Sequence, residues 1–385
     1  MNQFLERCIK SLYFRRLMPE WLKKWVKSRN PLFAVLYQQK LAEQNNIYSN
    51  ELKYSFYQGS SHYMLGIIKE FTHFHRHYIA ACREMDISYK VLDISGSDWI
   101  RVITNSGCDA FLVWPSALTK TWRLMFDERL RVMVKELNKI IFPAYDELWM
   151  WESKRRMRDW LMANEVPSPK TWIFYDYQKA DIFLQSAPMP IVYKSDFGDS
   201  SKGVRIVQSR KEARQMLRKV FTSGVNFHFP NISNTEWGNI VFQEYIEDAV
   251  EWRMIRIGES YFGYKKKKIG DYASGSGNAI YDDIDRYLLD FMKSITGRHG
   301  FKSMSLDILV KADRDIKVIE LQSLFGDPIT QRKLLVNGEP GRYVYDDIKR
   351  QWRFEKGIFD QNACCNLRVE ALIKQLSRPR KDNTV

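Results

Sequence analysis

Apolar and polar positions change their period several times along the chain, and the changes mark out its elements. Within residues 1–45, two segments repeat apolar side chains at one-face helical spacing: Phe4, Leu5, Cys8, Ile9, Leu12 and Tyr13, then Trp21, Leu22, Trp25 and Val26 against Lys23, Lys24 and Lys27. Met18-Pro19 separates them, proline suiting the first turn of the second helix. Basic amphipathic helices of this kind either lie on an anionic membrane surface or cap the domain behind them. From residue 54 to 144, helix-like stretches alternate with short apolar runs at 89–93, 110–114 and 140–143, the pattern of a small parallel α/β unit.

Residues 151–164 predict a helix that stops at Val166-Pro167-Ser168-Pro169. Strands follow at 171–174, 191–194 and 204–207, then a helix at 211–221 and a polar, aperiodic loop at 222–238. Successive antiparallel strands are expected at 240–245, 252–257 and 261–268, and a helix at 284–296. A last strand pair, 305–310 and 317–322, is joined by a polar turn, and a helix at 369–376 precedes a polar end. The whole reads as an α/β (α+β) chain of two or three modules.

The last strand pair sets Asp307 and Glu320 on adjacent strands, with Gln322 two residues on. Hard oxygen ligands converging on one point suit Mg²⁺, which usually shares its shell with nucleotide phosphates. The loop from Lys194 to Val204 holds Ser200, Ser201, Lys202 and Gly203 between two strands; glycine admits close backbone approach, while hydroxyls, amides and lysine suit phosphate oxygens. A plain glycine-serine turn is the competing reading. The strand that runs into Gln243, Glu244, Tyr245 and Ile246 could present backbone groups to an adenine edge, with Glu251 accepting from ribose hydroxyls; the bland alternative is an edge strand ending in solvated acids. Strand alternation places Lys266 of the run 265–268 on a face with Lys268, and Lys266 is the one read as facing phosphates. The loop 270–278 is either an acceptor-binding or a surface loop. His73, His75 and His77 lack acidic or cysteine partners at useful spacing, and Arg76 and Arg83 disfavour a cation there.

Bulk properties narrow the setting. The 385 residues carry a formal charge of +14, a field that attracts polyanions without choosing among them. No apolar run approaches the roughly 18 residues of a membrane span, and basic residues punctuate the start where a secretory signal would be apolar. Five cysteines without zinc or disulfide spacing point to a reducing compartment, so a cytoplasmic protein is expected, at the inner face of the membrane if residues 1–45 associate with it. The basic residues are scattered, and no specific nucleic-acid partner is expected.

In this order and at these spacings, the motifs from about residue 151 to 328 resemble the ATP-grasp superfamily of ATP-dependent ligases. Lys154 stands where such enzymes open their first subdomain, Lys194 where a second lysine ends the strand before the phosphate loop, and Asp307 and Glu320 where the metal acids fall. Gln322 replaces the family's asparagine, and Ser305 stands where peptide-ligase branches often place an arginine. The resemblance implies an ATP-grasp fold laid out as a basic helical segment at 1–45, a pre-ATP-grasp α/β domain at 46–150, a first subdomain at 151–238, a second subdomain at 239–345 and a helical tail at 346–385. It implies ATP and two Mg²⁺ ions as cofactors. Lys154, Lys194, the loop Ser200 to Gly203, the hinge Gln243 to Ile246 and Glu251 would hold the nucleotide; Asp307, Glu320 and Gln322 would hold metal; Arg253 and Lys266 would stabilise developing charge. The activity implied is amide formation through an acylphosphate, the partners being an acidic small molecule, peptide or polysaccharide of the surface-polysaccharide kind and an amine. Alternatives from other classes are a kinase acting on a hydroxyl and a non-catalytic ATP-binding module. A dimer is compatible with all three.

Overall fold

A central strand that alternation could not reveal organises the first sheet. The computed structural model describes residue 19 and residues 54–115, 120–196, 203–226, 235–267, 279–325 and 334–377; the segments expected within 1–45, the loop residues Ser200, Ser201 and Lys202, Lys268 and the loop 270–278 lie outside them. Strands β1 (Phe56–Tyr57), β2 (Met64–Ile68), β3 (Ser88–Leu92), β4 (Ala110–Leu112) and β5 (Ile141–Phe142) stand in the order β1-β3-β2-β4-β5, parallel apart from β1. The runs at 89–93, 110–114 and 140–143 are β3, β4 and β5. β2 is buried along nearly its whole length, so it is apolar on both sides and carries no period-two signal. Its Gly66 is required by close packing, since a Cβ there would lie 2.4 Å from Phe111 Cδ1. Helices α1 (Arg76–Glu84), α2 (Trp99–Thr104) and α3 (Lys120–Lys135) cover this sheet. His73 precedes α1 in a left-handed conformation (φ 67°), so it lies outside the helix that carries His77.

Two helices, α4 (Tyr145–Met150) and α5 (Lys154–Ala163), lead into the next unit. The helix expected at 151–164 starts three residues late because Glu152 is left-handed (φ 56°) and the Ser153 side chain caps α5, accepting from Arg156 N. A four-stranded antiparallel sheet follows, in the order β6 (Thr171–Phe174), β9 (Ile240–Glu244), β7 (Ile191–Lys194), β8 (Val204–Val207). It packs on α6 (Tyr177–Ser186), which the sequence reading missed, and on α7 (Arg210–Thr222), whose Ala213, Leu217 and Val220 form the buried stripe.

The third sheet has eight strands. β14 (Ile316–Gln322), β13 (Ser303–Lys311), β10 (Ala249–Ile257), β11 (Ser260–Lys266), β16 (Glu339–Asp346) and β15 (Leu335–Val336) run in that order, with β12 (Ala279–Ile280) on β11 and β17 (Gln351–Lys356) on β16. The strand at 240–245 therefore does not pair with 252–257: β9 belongs to the four-stranded sheet, and the chain crosses over at 245–248, where Asp248 is left-handed (φ 52°). Residues 346–356, expected in a helical tail, complete a hairpin. One sheet face meets α8 (Arg286–Arg298) and α5 through Met254, Leu306, Ile308, Leu288 and Met157. The other face meets α9 (Gln361–Leu376) through Ile255, Phe262 and Leu367, while Cys365, Val369 and Leu372 join the core of the first sheet. No helix among the described residues is long and apolar enough to cross a membrane.

Candidate active site

Because side chains alternate across a strand, one face of the eight-stranded sheet collects charge while the other is oily. Arg253 pairs with Asp307 across β10 and β13, and Asp307 with Glu320 across β13 and β14. A register shift just after Asp307 marks this point on the sheet. Asp307 is 1% exposed. It accepts from Arg253 Nε (2.6 Å, Oδ1) and Nη2 (2.8 Å, Oδ2), and Oδ2 also accepts from Lys266 Nζ. Lys266 Nζ donates in addition to Glu251 Oε1 at 2.6 Å. The four residues form one continuous ion-pair network on neighbouring strands.

Lys154 arrives from the first turn of α5 and donates to Glu320 Oε1 at 2.7 Å. Gln322 Nε2 donates to the same oxygen at 2.7 Å. Lys194, at the end of β7, lies in the field of Glu320, Glu251 and Asp307. Lys154, Lys194, Glu251, Arg253, Lys266, Asp307, Glu320 and Gln322 are thus brought together from four stretches of chain. Gly203 closes the base of the glycine-serine loop, its carbonyl accepting from Ser195 N at 2.8 Å. The hinge residues have partners of their own. Gln243 Nε2 donates to Thr171 Oγ1 at 2.9 Å, Glu244 N donates to the Lys170 carbonyl at 2.8 Å, and Tyr245 and Ile246 lie in the crossover to β10.

Two acids that sequence reasoning passed over hold this arrangement. Asp196 Oδ1 accepts from Ser153 Oγ (3.1 Å) and Arg155 N (2.9 Å), Oδ2 pairs with the Arg155 guanidinium (2.7 Å), and its carbonyl accepts from Lys154 N (3.1 Å). Glu236 accepts from Ser195 Oγ at 2.7 Å and from Asp196 N at 2.9 Å. Together they tie the strand of Lys194 to the helix of Lys154. Changing Asp196 to alanine is expected to loosen the strand of Lys194 from the helix of Lys154, seen as weaker binding of a nucleotide analogue by the full chain.

The donor set fits a hard divalent cation. Gln322 Oε1 is buried without a hydrogen-bond partner among the described residues, Glu320 adds a carboxylate, and Asp307 faces it across the strands. Ser305 Oγ, opposite Gln322, is likewise buried and unpartnered there. Burial works against ionising Asp307, but Arg253 and Lys266 override it and hold the carboxyl below its ordinary value; Lys154 does the same for Glu320 against burial and the Asp307 charge. Burial lowers Lys154 too, yet Glu320 and Glu152 raise it above the ordinary lysine value. For a carboxyl depressed by folding, the stabilisation is present above its ordinary value and lost as pH falls through its folded value. Stability should therefore hold above the ordinary 3.8 and 4.5 of the two acids and decline below them. Denaturation followed from neutral to acid pH checks this, and Glu320→Gln should flatten the acid limb.

Comparison with known proteins places this geometry. Residues 152–229 match the ATP-grasp (A) domain of phosphoribosylglycinamide synthetase. The chain is 27% identical over 263 residues to the phosphoribosylamine–glycine ligase of Fusobacterium nucleatum, covering 60% of this chain and 58% of that protein. It is 23% identical over 223 residues to the corresponding ligase of Leptospira interrogans, covering 51% and 50%. The chain thus spans little more than half the length of these relatives. Among solved structures it is similar to the D-alanine–D-alanine ligase of Bacillus anthracis at 15% identity and TM-score 0.50, over 82% of this chain and 98% of that one. That ligase complexed with ATP aligns at 14% identity, TM-score 0.50 and the same coverage. The ADP complex of an N5-carboxyaminoimidazole ribonucleotide synthetase aligns at 13%, TM-score 0.50, over 77% and 79%.

Proposed function

We propose, from the ATP-grasp fold that this chain has, that it is an ATP-dependent ligase that activates a substrate carboxylate and joins it to an amine. The observation that carries the reading is the convergence of Lys154, Lys194, Arg253 and Lys266 with Glu251, Asp307, Glu320 and Gln322 on one sheet face. Cations and hard oxygen ligands in one partly enclosed place are what phosphoryl transfer needs, since that chemistry rests on positioning and charge stabilisation. Lys154, Lys194 and the loop Ser200 to Gly203 neutralise phosphate oxygens, the hinge Gln243 to Ile246 takes the base, and Glu251 takes the ribose. Asp307, Glu320 and Gln322 would hold Mg²⁺, two ions in this reading, which supply charge to the β- and γ-phosphate oxygens.

A carboxylate oxygen of the substrate attacks the γ-phosphorus while its bond to the ADP oxygen breaks, leaving an acylphosphate. The amine then attacks the acyl carbon, phosphate leaves, and the nitrogen gives up a proton to form the amide. Arg253 and Lys266 stabilise the charge that builds on the transferring group. We take the first substrate to be acidic, a small molecule, peptide or polysaccharide, because a chain of charge +14 draws such a molecule toward it.

Trapping tests the order of events. With ATP, Mg²⁺ and a panel of amino acids, acidic sugars and uronic-acid polymers, the purified chain should release ADP, and hydroxylamine should convert the intermediate into a hydroxamate. ADP release with a phosphorylated hydroxyl and no hydroxamate would make it a kinase instead; Glu320→Ala should silence any genuine signal. A pH dependence follows as well. Burial pushes Lys194 down from the ordinary lysine value to about 8. Its cation is present below that pH and absent above it, so affinity for an ATP analogue should weaken as pH rises through 8, and Lys194→Arg should remove this step.

A further inference from the structure

We infer that Arg253 and Lys266 are place-holding cations: they keep the Asp307 end of the site closed to a free divalent ion, so that metal enters only with nucleotide. The inference rests on the nucleotide-site reading above and goes beyond it to the order in which the site is filled. Both Asp307 oxygens already accept hydrogen bonds, Oδ1 from Arg253 Nε at 2.6 Å and Oδ2 from Arg253 Nη2 at 2.8 Å and from Lys266 Nζ. Lys266 is fixed from a second side by Glu251 at 2.6 Å. Glu320 Oε1 accepts from both Lys154 and Gln322. An arriving aqua ion would have to shed water and displace a bidentate guanidinium or an ammonium from a carboxylate that is almost wholly buried.

Each carboxylate of the cluster is already met by a cation: Glu320 by Lys154, Asp307 by Arg253 and Lys266, Glu251 by Lys266. A dication added alone must compete with those ammonium and guanidinium groups, and a low-dielectric setting strengthens the pairs it would break. A triphosphate changes that competition. Its oxygens are alternative acceptors for the same guanidinium and ammonium groups, and long, flexible Arg and Lys side chains can turn to them without moving the strands. Asp307 is then released to face Glu320 and the unpartnered Gln322 Oε1, and the shell is completed by phosphate oxygens, the usual company of Mg²⁺. A purely structural salt bridge would give none of this linkage.

The experiment titrates Mn²⁺ into the full chain and reads the free-ion electron paramagnetic resonance signal, alone and with a non-hydrolysable ATP analogue. Wild type should leave the signal intact without the analogue and deplete it, beyond what the analogue alone removes, when both are present. Lys266→Gln keeps a hydrogen-bond donor toward Glu251 and Asp307 but removes the charge; together with Arg253→Gln, assayed separately, it should raise affinity for Mn²⁺ alone by about tenfold or more, the size of effect a neighbouring charge exerts on a carboxylate. Mn²⁺ binding to wild type as tightly without the analogue as with it overturns the inference and leaves the nucleotide reading standing. So does the failure of both variants, folded by circular dichroism, to gain any affinity. Failure of wild type to bind the analogue with Mn²⁺ present overturns both.

Discussion

Asp307→Asn is expected to cost about 3–5 kcal/mol of stability at neutral pH, the usual consequence of removing one partner from a buried ion pair. The substitution is close to isosteric, so loss of packing cannot account for it. What changes is charge: Arg253 and Lys266 stay side by side on adjacent strands with their shared counter-charge gone, and the asparagine amide turns a donor toward one of them. Glu251 still holds Lys266 but cannot reach both cations in the same geometry. On the proposed reading catalysis should fall as well, by about a thousandfold or roughly 4 kcal/mol, because Asp307 would there be a metal ligand as well as the partner of two cations. Urea denaturation and ADP release measured on the same preparation separate the two effects. A loss under about 1 kcal/mol would mean that desolvation already cancels these pairs in the wild type, and normal turnover would remove Asp307 from the site.

The carboxylate end of the site was legible in the sequence because it is written in strand alternation. Asp307 sits in an otherwise apolar strand, Glu320 and Gln322 are two apart, and two strands joined by a short turn must pair. Lys266 and Glu251 follow from the same parity on neighbouring strands. Asp196 and Glu236 were not legible, because their partners lie about 40 residues away and neither acid interrupts a pattern. Ser153 did leave a mark: serine before a basic, periodic stretch is a capping signal, and it would have started α5 at Lys154 rather than inside one long helix.

Elements failed for similar physical reasons. β2 is apolar on both faces and short, so it lacked a period to detect. The hairpin of β16 and β17 mixes arginines and acids with Tyr343, Tyr345, Trp352 and Phe354; Tyr343, Tyr345 and Trp352 are half-buried and Phe354 is exposed, with Trp352 on Tyr261 and its indole donating to Asp290 at 2.8 Å. A strand pair that alternates half-buried aromatics with charged residues reads as polar overall. β9 and β10 look like consecutive members of one sheet, and the left-handed Asp248 between them lies where the chain passes from one sheet to the other.

Arg368→Leu is expected to destabilise the chain by about 3–5 kcal/mol, although the site is untouched. Arg368 is fully buried on α9, and its partners are neutral: Nε donates to Ser303 Oγ at 3.2 Å, Nη1 to the Ala363 carbonyl at 2.8 Å and Nη2 to the Phe325 carbonyl at 2.7 Å. The guanidinium also lies 5.2 Å from the Trp114 ring and 4.8 Å from that of Phe325. These partners belong to the first sheet, the start of β13, the end of β14 and α9, so one side chain joins the α/β unit to the sheet that carries Asp307. Leucine leaves three acceptors dry and a gap where the guanidinium lay. The charge has a second reporter. Burial, with the Arg368 charge behind it, pushes His77 down to about 4; without that charge His77 should titrate higher, while burial still holds it below an ordinary histidine. Chemical denaturation and the His77 ring resonance followed against pH test the two halves separately. An unmoved His77 in a folded variant would show that Arg368 acts through packing alone, and a loss below about 1 kcal/mol would show that α9 is held by its apolar stripe of Cys365, Val369 and Leu372.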